Sequence, residues 1–275
     1  MRAKKRPCGR FFHADVATPF QYISKLIPMN TVSPTAILSA LEQEQGGLIA
    51  QLLHPQKVQR AGRDFWCGSL QGHPVVLGLS RIGKVAAATT TAALIEGFGV
   101  GRVVFTGVAG GVGPGVRVGD VVVGAGFVQH DMDASPLFPR FEIPLYGQTV
   151  FMGDTVLSGL LVQACQAAMR QGLEGGHSGQ VHHGLIASGD VFVSGALQSE
   201  AIVRALQDCG HAPLAVEMEG AAVAQVCADY GIPFAAVRTI SDRADDTAHV
   251  DFSQFVTDVA SVYANKIINE LLVLL

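Results

Sequence analysis

The chain is predicted to be an α/β protein: one three-layer domain with a mixed, largely parallel central sheet flanked by helices. Two observations predict this. Short apolar, β-branched runs alternate with longer Ala-rich or amphipathic runs from residue 36 to the C-terminus, the pattern of strands joined through crossover helices. Hydrophobic residues make up 49% of the 275 residues and charged residues 15%, enough to fill one large core.

Taken in order, Ala36 to Leu41 reads as a short buried strand that ends in the acidic run Glu42-Gln43-Glu44. Phe65 to Leu70 and Pro74 to Leu79 read as strands joined at Gln71-Gly72-His73. Lys84 to Gly97 has apolar residues at helical spacing. Val103-Val104-Phe105 is a strand, and Thr106 to Gly111 reads as a Gly-rich turn after it. Asp120 to Gly126 is a further strand, Gly153 to Gln171 a helix and Gly184 to Ala187 a strand. Leu214-Ala215-Val216 leads through a turn into a helix over 220–230, which Gly231 and Pro233 stop. Phe234 to Ile240 is a strand ending at Ser241-Asp242. Asp251 to Leu275 reads as an amphipathic terminal helix, capped by Asp251 or Ser253.

Residues 1–30 differ from the rest. Arg2, Lys4, Lys5, Arg6 and Arg10 precede a mixed stretch rather than the unbroken apolar run of a secretory signal. They read as a poorly ordered extension before a domain over 31–275. No apolar stretch is long enough to span a membrane. A formal net charge of −4 speaks against a nucleic-acid binder. Cys8, Cys67, Cys165, Cys209 and Cys227 form no CxxC pair, and the nine histidines form no ligand set, so neither metal nor cofactor is expected. The thiols fit a reducing, cytoplasmic compartment.

Ligands of such sheets sit beyond the carboxyl ends of the strands. Polar residues there are Glu44, Glu217, Glu219 and Asp242, with the Gly-rich run 106–111 among them. Each has a plain structural reading as well. Glu44 is equally a solvated residue at a helix start, Glu219 a first-turn acid and Asp242 a turn cap. Gly113-Pro114-Gly115 breaks any dinucleotide fingerprint. These residues alone indicate carboxylate chemistry on a small molecule.

The segments ALEQE (40–44), SRIGKVAA (80–87), TGVAGG (106–111), VGDVV (118–122), SGDVF (188–192), VEME (216–219) and RTISD (238–242) occur together in this order. So arranged, they resemble the nucleoside phosphorylase/hydrolase superfamily, and within it the 5′-methylthioadenosine/S-adenosylhomocysteine nucleosidase family. The resemblance spans about residues 36–270. It implies a nucleoside phosphorylase-like fold, a homodimer and hydrolysis of the N-glycosidic bond of a small purine nucleoside. It implies that Glu44 activates water and that Asp242 protonates purine N7. Glu219 would bind the ribose hydroxyls, Met218 would pack on the ribose, and Phe192 would stack on the purine beside the backbone of Val193. Ser80 and Arg238 match positions near the water and ribose, and Phe252 part of the pocket for the 5′ substituent. Ala109, Gly110, Glu217 and Ser241 complete the substrate-binding positions in the matched motifs.

The chemistry accounts for these residue types. Breaking the bond leaves negative charge on the base, which an acid at N7 neutralises, so Asp242 must carry a proton, a state that burial favours. A carboxylate beside the ribose faces the forming oxocarbenium ion. Phosphorolysis is the alternative, as is a binding-only domain. Phosphorylase relatives place an arginine where this chain has Phe105, and an aromatic ring cannot neutralise phosphate. The Pro-rich stretch 136–147 is longer than in compact relatives, and Arg81 has no assigned role.

Overall fold

The computed structural model describes residues 32–45, 47–171, 179–245, 248, 255, 259 and 261–275. The expected extension over residues 1–30 and the expected site residue Phe252 lie outside the described residues, as do both proposed caps of the terminal helix.

Ten strands form one mixed sheet: β1 (Thr35–Ser39), β2 (Leu53–Arg60), β3 (Arg63–Leu70), β4 (His73–Leu79), β5 (Arg102–Gly111), β6 (Val121–Gln129), β7 (Val150–Met152), β8 (Val181–Ser188), β9 (Pro213–Glu217) and β10 (Phe234–Asp242). Among the described residues the helices bounded at both ends are α1 (Leu48–Gln51), α2 (Lys84–Phe98), α3 (Thr155–Arg170), α4 (Ala196–Asp208), α5 (Gly220–Tyr230) and α6 (Ser261–Leu274), and a 3₁₀ turn covers Gln43–Gln45.

β5 organises the sheet. Its first half pairs in parallel with β1, its end pairs antiparallel with β9, and its other edge runs parallel to β10. From β10 the pairing continues through β6 and β8 to β9 and so back to β5. The circuit closes, and β1, β4, β3 and β2 extend from it as a wing. Closure gathers the ends of β5, β9 and β10 into one place, which an open sheet would spread apart.

The three layers follow from period-2 alternation. Val103 and Phe105 of β5 join a core with Ala87 and Leu94 of α2 and Val223 of α5. Val104 points the other way, into a core with Leu157 and Leu161 of α3 and Ile267 and Leu271 of α6. Helix ends follow their signals. Asp154 caps α3, accepting the Leu157 N–H at 2.8 Å, and Gly99 and Gly231 end α2 and α5 in the left-handed region.

Several elements depart from the sequence reading, the short α1 and β7 among them, which it did not include. The expected turn over Thr106 to Gly111 is strand, because β5 runs through it. β2 carries Pro55 and mostly exposed polar residues, as an outer strand can, and so lacks the alternation that would reveal it. α4 has a single narrow apolar face, on which buried Leu206 packs with Ile202 and Ala205. Among the described residues no helix is long and apolar enough to cross a membrane.

Candidate active site

A cleft of about 310 Å³ opens where β1, β5, β9 and β10 end. Its lining includes Glu44, Ala109, Gly110, Phe192, Val193, Glu217, Met218, Glu219, Ser241 and Asp242, with Leu41, Ile82, Val108 and Val191 completing an otherwise apolar wall. Ten of the expected site residues thus meet in one place. Ser80 and Arg238 are buried behind the lining.

Glu44 is only 3% exposed, so the solvated-face reading fails. Its carboxylate accepts the N–H groups of Ala40 (2.7 Å), Leu41 (2.8 Å) and Val108 (3.1 Å). Burial raises its pKa. The three N–H groups and the positive charge of Arg238 pull it partly back. The result is a carboxylate more basic than usual, held by donors that favour its charged form.

The glycines of β5 explain how carboxylates come so close to a strand. A Cβ on Gly107 would lie 3.1 Å from Glu44 Oε1, and one on Gly110 would lie 2.9 Å from Asp242 Oδ1. The β5–β10 register sets Asp242 beside Gly110, with a shift just before it. Glycine in a strand interior here marks close approach of another group. Asp242 is 2% exposed, accepts the Ala244 N–H at 2.8 Å and receives the Ser241 hydroxyl at 2.7 Å. It does make the turn contact of the plain reading, and it lines the cleft as well.

Glu217 and Glu219 divide their work. The Glu217 carboxylate accepts the N–H groups of Glu219 and Gly220 at the start of α5, the Ser188 hydroxyl, and Nε and Nη2 of Arg238 at 3.2 and 2.7 Å. It therefore supplies the orphan donors of the helix start with a partner. Arg238, 1% exposed, also donates to the carbonyls of Phe105 and Val237, and its guanidinium lies 4.0 Å over the Phe105 ring. Ser80 donates its hydroxyl to the Arg81 carbonyl.

Glu219 makes no helix cap. Its carboxylate takes one N–H, from Gly83 at 2.9 Å. Burial first, and the negative charge of Glu217 second, raise its pKa. This has a measurable consequence for stability. Below pH 4.5 the carboxyl is protonated in folded and unfolded chains alike. Above that pH the unfolded chain releases the proton while the folded one retains it, so the fold loses stability until its own raised pKa is passed. Glu219→Gln keeps the acceptor for Gly83 and removes the titration. Thermal unfolding followed by circular dichroism should show a Tm a few degrees above the parent at pH 8 and no gain at pH 4. An equal Tm at both pH values would contradict the raised pKa.

A ring of contacts ties the cleft's far wall to the start of α2. Lys84 Nζ meets Asp131 at 2.6 Å and Gln129 at 2.9 Å, the Lys84 N–H donates to Asp190, and the Asp190 N–H donates to Asp131. The segment bearing Phe192 is thereby fastened to the turn that gives Gly83 to Glu219. Phe192 itself is 42% exposed at the cleft mouth. Leu41, Ile82, Val108 and Val191 are not among the site residues expected from the sequence; each lies within a matched motif, and that membership is the signal available.

Comparison with known proteins agrees with this architecture. The profile of the phosphorylase superfamily matches residues 34–273. A 5′-methylthioadenosine/S-adenosylhomocysteine nucleosidase of Bacillus thuringiensis is 36% identical over 241 residues, covering 86% of this chain and 97% of its own length. The crystal structure of the nucleosidase of that name from Neisseria meningitidis, in complex with methylthio-immucillin-A, superposes with a TM-score of 0.78 at 35% identity, over 89% of this chain and 100% of the other. The futalosine hydrolase of Helicobacter pylori has a TM-score of 0.78 at 30% identity, over 89% of this chain and 99% of its own. On its sequence, its fold and the carboxylate-lined cleft at the end of β5, the chain belongs to the phosphorylase superfamily and, within it, to the 5′-methylthioadenosine/S-adenosylhomocysteine nucleosidase family.

Proposed function

We infer that this protein hydrolyses the N-glycosidic bond of 5′-methylthioadenosine and S-adenosylhomocysteine, releasing adenine and the 5′-thio-substituted ribose. One observation carries the choice of water over phosphate. The cleft presents the carboxyl groups of Glu44, Glu219 and Asp242, and no lysine or arginine is among its described lining residues. A phosphate dianion needs fixed cationic donors, and the described lining supplies none.

The reaction divides among these side chains. The purine stacks on Phe192, with its edge against the backbone of Val193 and N7 toward Asp242. As the C1′–N9 bond breaks, its electron pair passes to the base, and the Asp242 proton goes to N7. Glu219 takes hydrogen bonds from the ribose hydroxyls, and its ionised form, favoured as the pH rises through its raised pKa, sets negative charge beside the cationic sugar, while Met218 packs on the ribose. Water attacks C1′ and gives its proton to Glu44, whose raised pKa suits a base. Arg238 and Ser80 stand behind the water and ribose positions. Phe252 completes the apolar wall near the 5′ group.

The active form is a homodimer in which the partner covers the cleft mouth. Val191 and Phe192 of the cleft lining are exposed, as are Val85 at the start of α2 and Leu137 and Leu145 in the Pro-rich stretch 136–147. Asp131, shortly before the Pro-rich stretch, is held to Lys84 and Asp190 near Val191. Large apolar side chains left exposed are covered when a partner subunit docks on them. The free thiols of Cys67, Cys165, Cys209 and Cys227 fit a cytoplasmic enzyme.

The test is adenine release from 5′-methylthioadenosine, followed by chromatography, in phosphate-free buffer and with added phosphate. The expected result is full turnover without phosphate and free methylthioribose as product. A sugar phosphate formed only with phosphate present would overturn the hydrolytic reading.

A further inference from the structure

A second cavity, of about 470 Å³, is lined in part by residues adjacent in the chain to those of the reaction cleft. The cleft is lined by Leu41, Glu44 and Ile82, and the second cavity by their chain neighbours Glu42, Gln45 and Arg81. The two recesses therefore flank the same two short segments. Asp242 and Phe192 mark the purine end of the cleft, so the Leu41–Ile82 wall lies toward the ribose 5′ carbon in the reading above.

The second cavity has an unusual charge arrangement. Lys57 and Asp64 in its lining pair with each other at 2.8 Å. Arg63 and Arg81 face it without a carboxylate within ion-pair distance among the described residues. Arg63 donates to the Ala61 and Ala86 carbonyls, Arg81 to the Gly62 carbonyl, and the buried Nε of Arg63 has no partner. Burial and the neighbouring charge of Arg81 both lower the Arg63 pKa, as expected of two cations held near each other without a counter-charge. Glu42, exposed in the same lining, makes no ion pair with either. The cavity thus offers a fork of positive donors and a separate carboxylate.

Arg81 has φ of 64°, a region that non-glycine residues enter at a cost, so a glycine there removes the side chain without straining the backbone.

We propose that this cavity receives the α-amino acid end of a 5′ substituent such as homocysteinyl, with Arg81 and Arg63 taking its carboxylate and Glu42 its ammonium group. The thioether chain crosses the ridge formed by Leu41–Glu42 and Arg81–Ile82. The proposal rests on the nucleosidase reading and deepens it: Arg81 and Glu42 set substrate range and take no part in bond breaking. A methylthio group is too short to reach them.

Three substrates separate charge from length: 5′-methylthioadenosine, S-adenosylhomocysteine and the uncharged 5′-butylthioadenosine. The variants are Arg81→Gly, which suits the left-handed backbone, and Glu42→Gln. For both, kcat/KM for S-adenosylhomocysteine should fall about tenfold, and that for the two uncharged-tail substrates should stay within about twofold of the parent. Unchanged turnover of 5′-methylthioadenosine certifies the fold of each variant. An equal change on all three substrates, no change on any, or a parent enzyme that cleaves 5′-methylthioadenosine and not S-adenosylhomocysteine would overturn the proposal and leave the nucleosidase reading standing. A parent that releases adenine from none of them would remove both.

Discussion

Asp242→Asn should lower kcat for adenine release by about 10²–10⁴-fold while leaving a tightly folded, ligand-binding protein. The carboxyl sits at the end of β10, 2% exposed, between the Ala244 N–H and the Ser241 hydroxyl. Asparagine can keep both contacts, since its oxygen accepts from Ala244 and the Ser241 hydroxyl can turn to accept from its amide. It cannot deliver an acidic proton to a departing base. The prediction is checked by single-turnover adenine release and by calorimetric titration with a non-hydrolysable nucleoside analogue. Unaltered kcat would remove Asp242 from the acid role, and lost binding together with a lowered Tm would make its role structural. Glu44→Gln is a less clean test. The Ala40 and Leu41 N–H groups donate to one carboxylate oxygen and the Val108 N–H to the other, so an amide must set its NH₂ against at least one N–H, and the local packing changes along with the base. The acid and the base assist one reaction, so the double variant should fall short of the product of the two single losses.

What the sequence disclosed about this site depended on the kind of signal each residue leaves. Strands buried on both faces, such as β1 and the first half of β5, announce themselves through continuous apolar runs, and the alternation of Val103, Val104 and Phe105 between two cores follows directly. Glycine is ambiguous. In 106–111 it reads as a turn, and only the packed structure shows that Gly107 and Gly110 are strand residues left bare for Glu44 and Asp242. Glu44 was open between a solvated and a buried reading, because the N–H groups that hold it come from two segments, one of them far along the chain. The closure of the sheet was not legible at all. It depends on β9 meeting the end of β5 in antiparallel sense, a pairing of only Gly110 with Val216 and Gly111 with Ala215. Motif matching named Glu217 as a substrate-binding position, whereas its carboxylate is occupied by Arg238, Ser188 and the start of α5. A motif carries residue identity and order, and it does not say which atom of the residue faces the ligand.

That occupied carboxylate leads to the largest expected loss of stability. Arg238→Met removes two donors from Glu217, one at 2.7 Å, and leaves a nearly inaccessible carboxylate facing only N–H and hydroxyl groups. Breaking a buried pair from one side costs about 3–5 kcal/mol, mostly from the uncompensated charge that remains. The shift should appear in the denaturant midpoint, and Arg238→Met/Glu217→Gln should recover part of it, because the second change neutralises the stranded partner. A midpoint within experimental error of the parent would mean that the pair adds nothing the surrounding donors do not already supply. The same substitution separates a structural role from an electrostatic one through pH. Arg238 lowers the pKa of Glu44 against the upward push of burial. Without the guanidinium the Glu44 pKa rises further, a smaller fraction is ionised at neutral pH, and the ascending acid limb of kcat/KM moves to higher pH. Arg238→Lys retains the charge without the bidentate fork, so it should lose stability and keep the limb near its parental position. If both variants lose stability and neither moves the limb, Arg238 acts only as the anchor of Glu217. If the methionine variant alone moves it, one buried arginine both holds the helix start that bears Glu219 and tunes the base across the cleft.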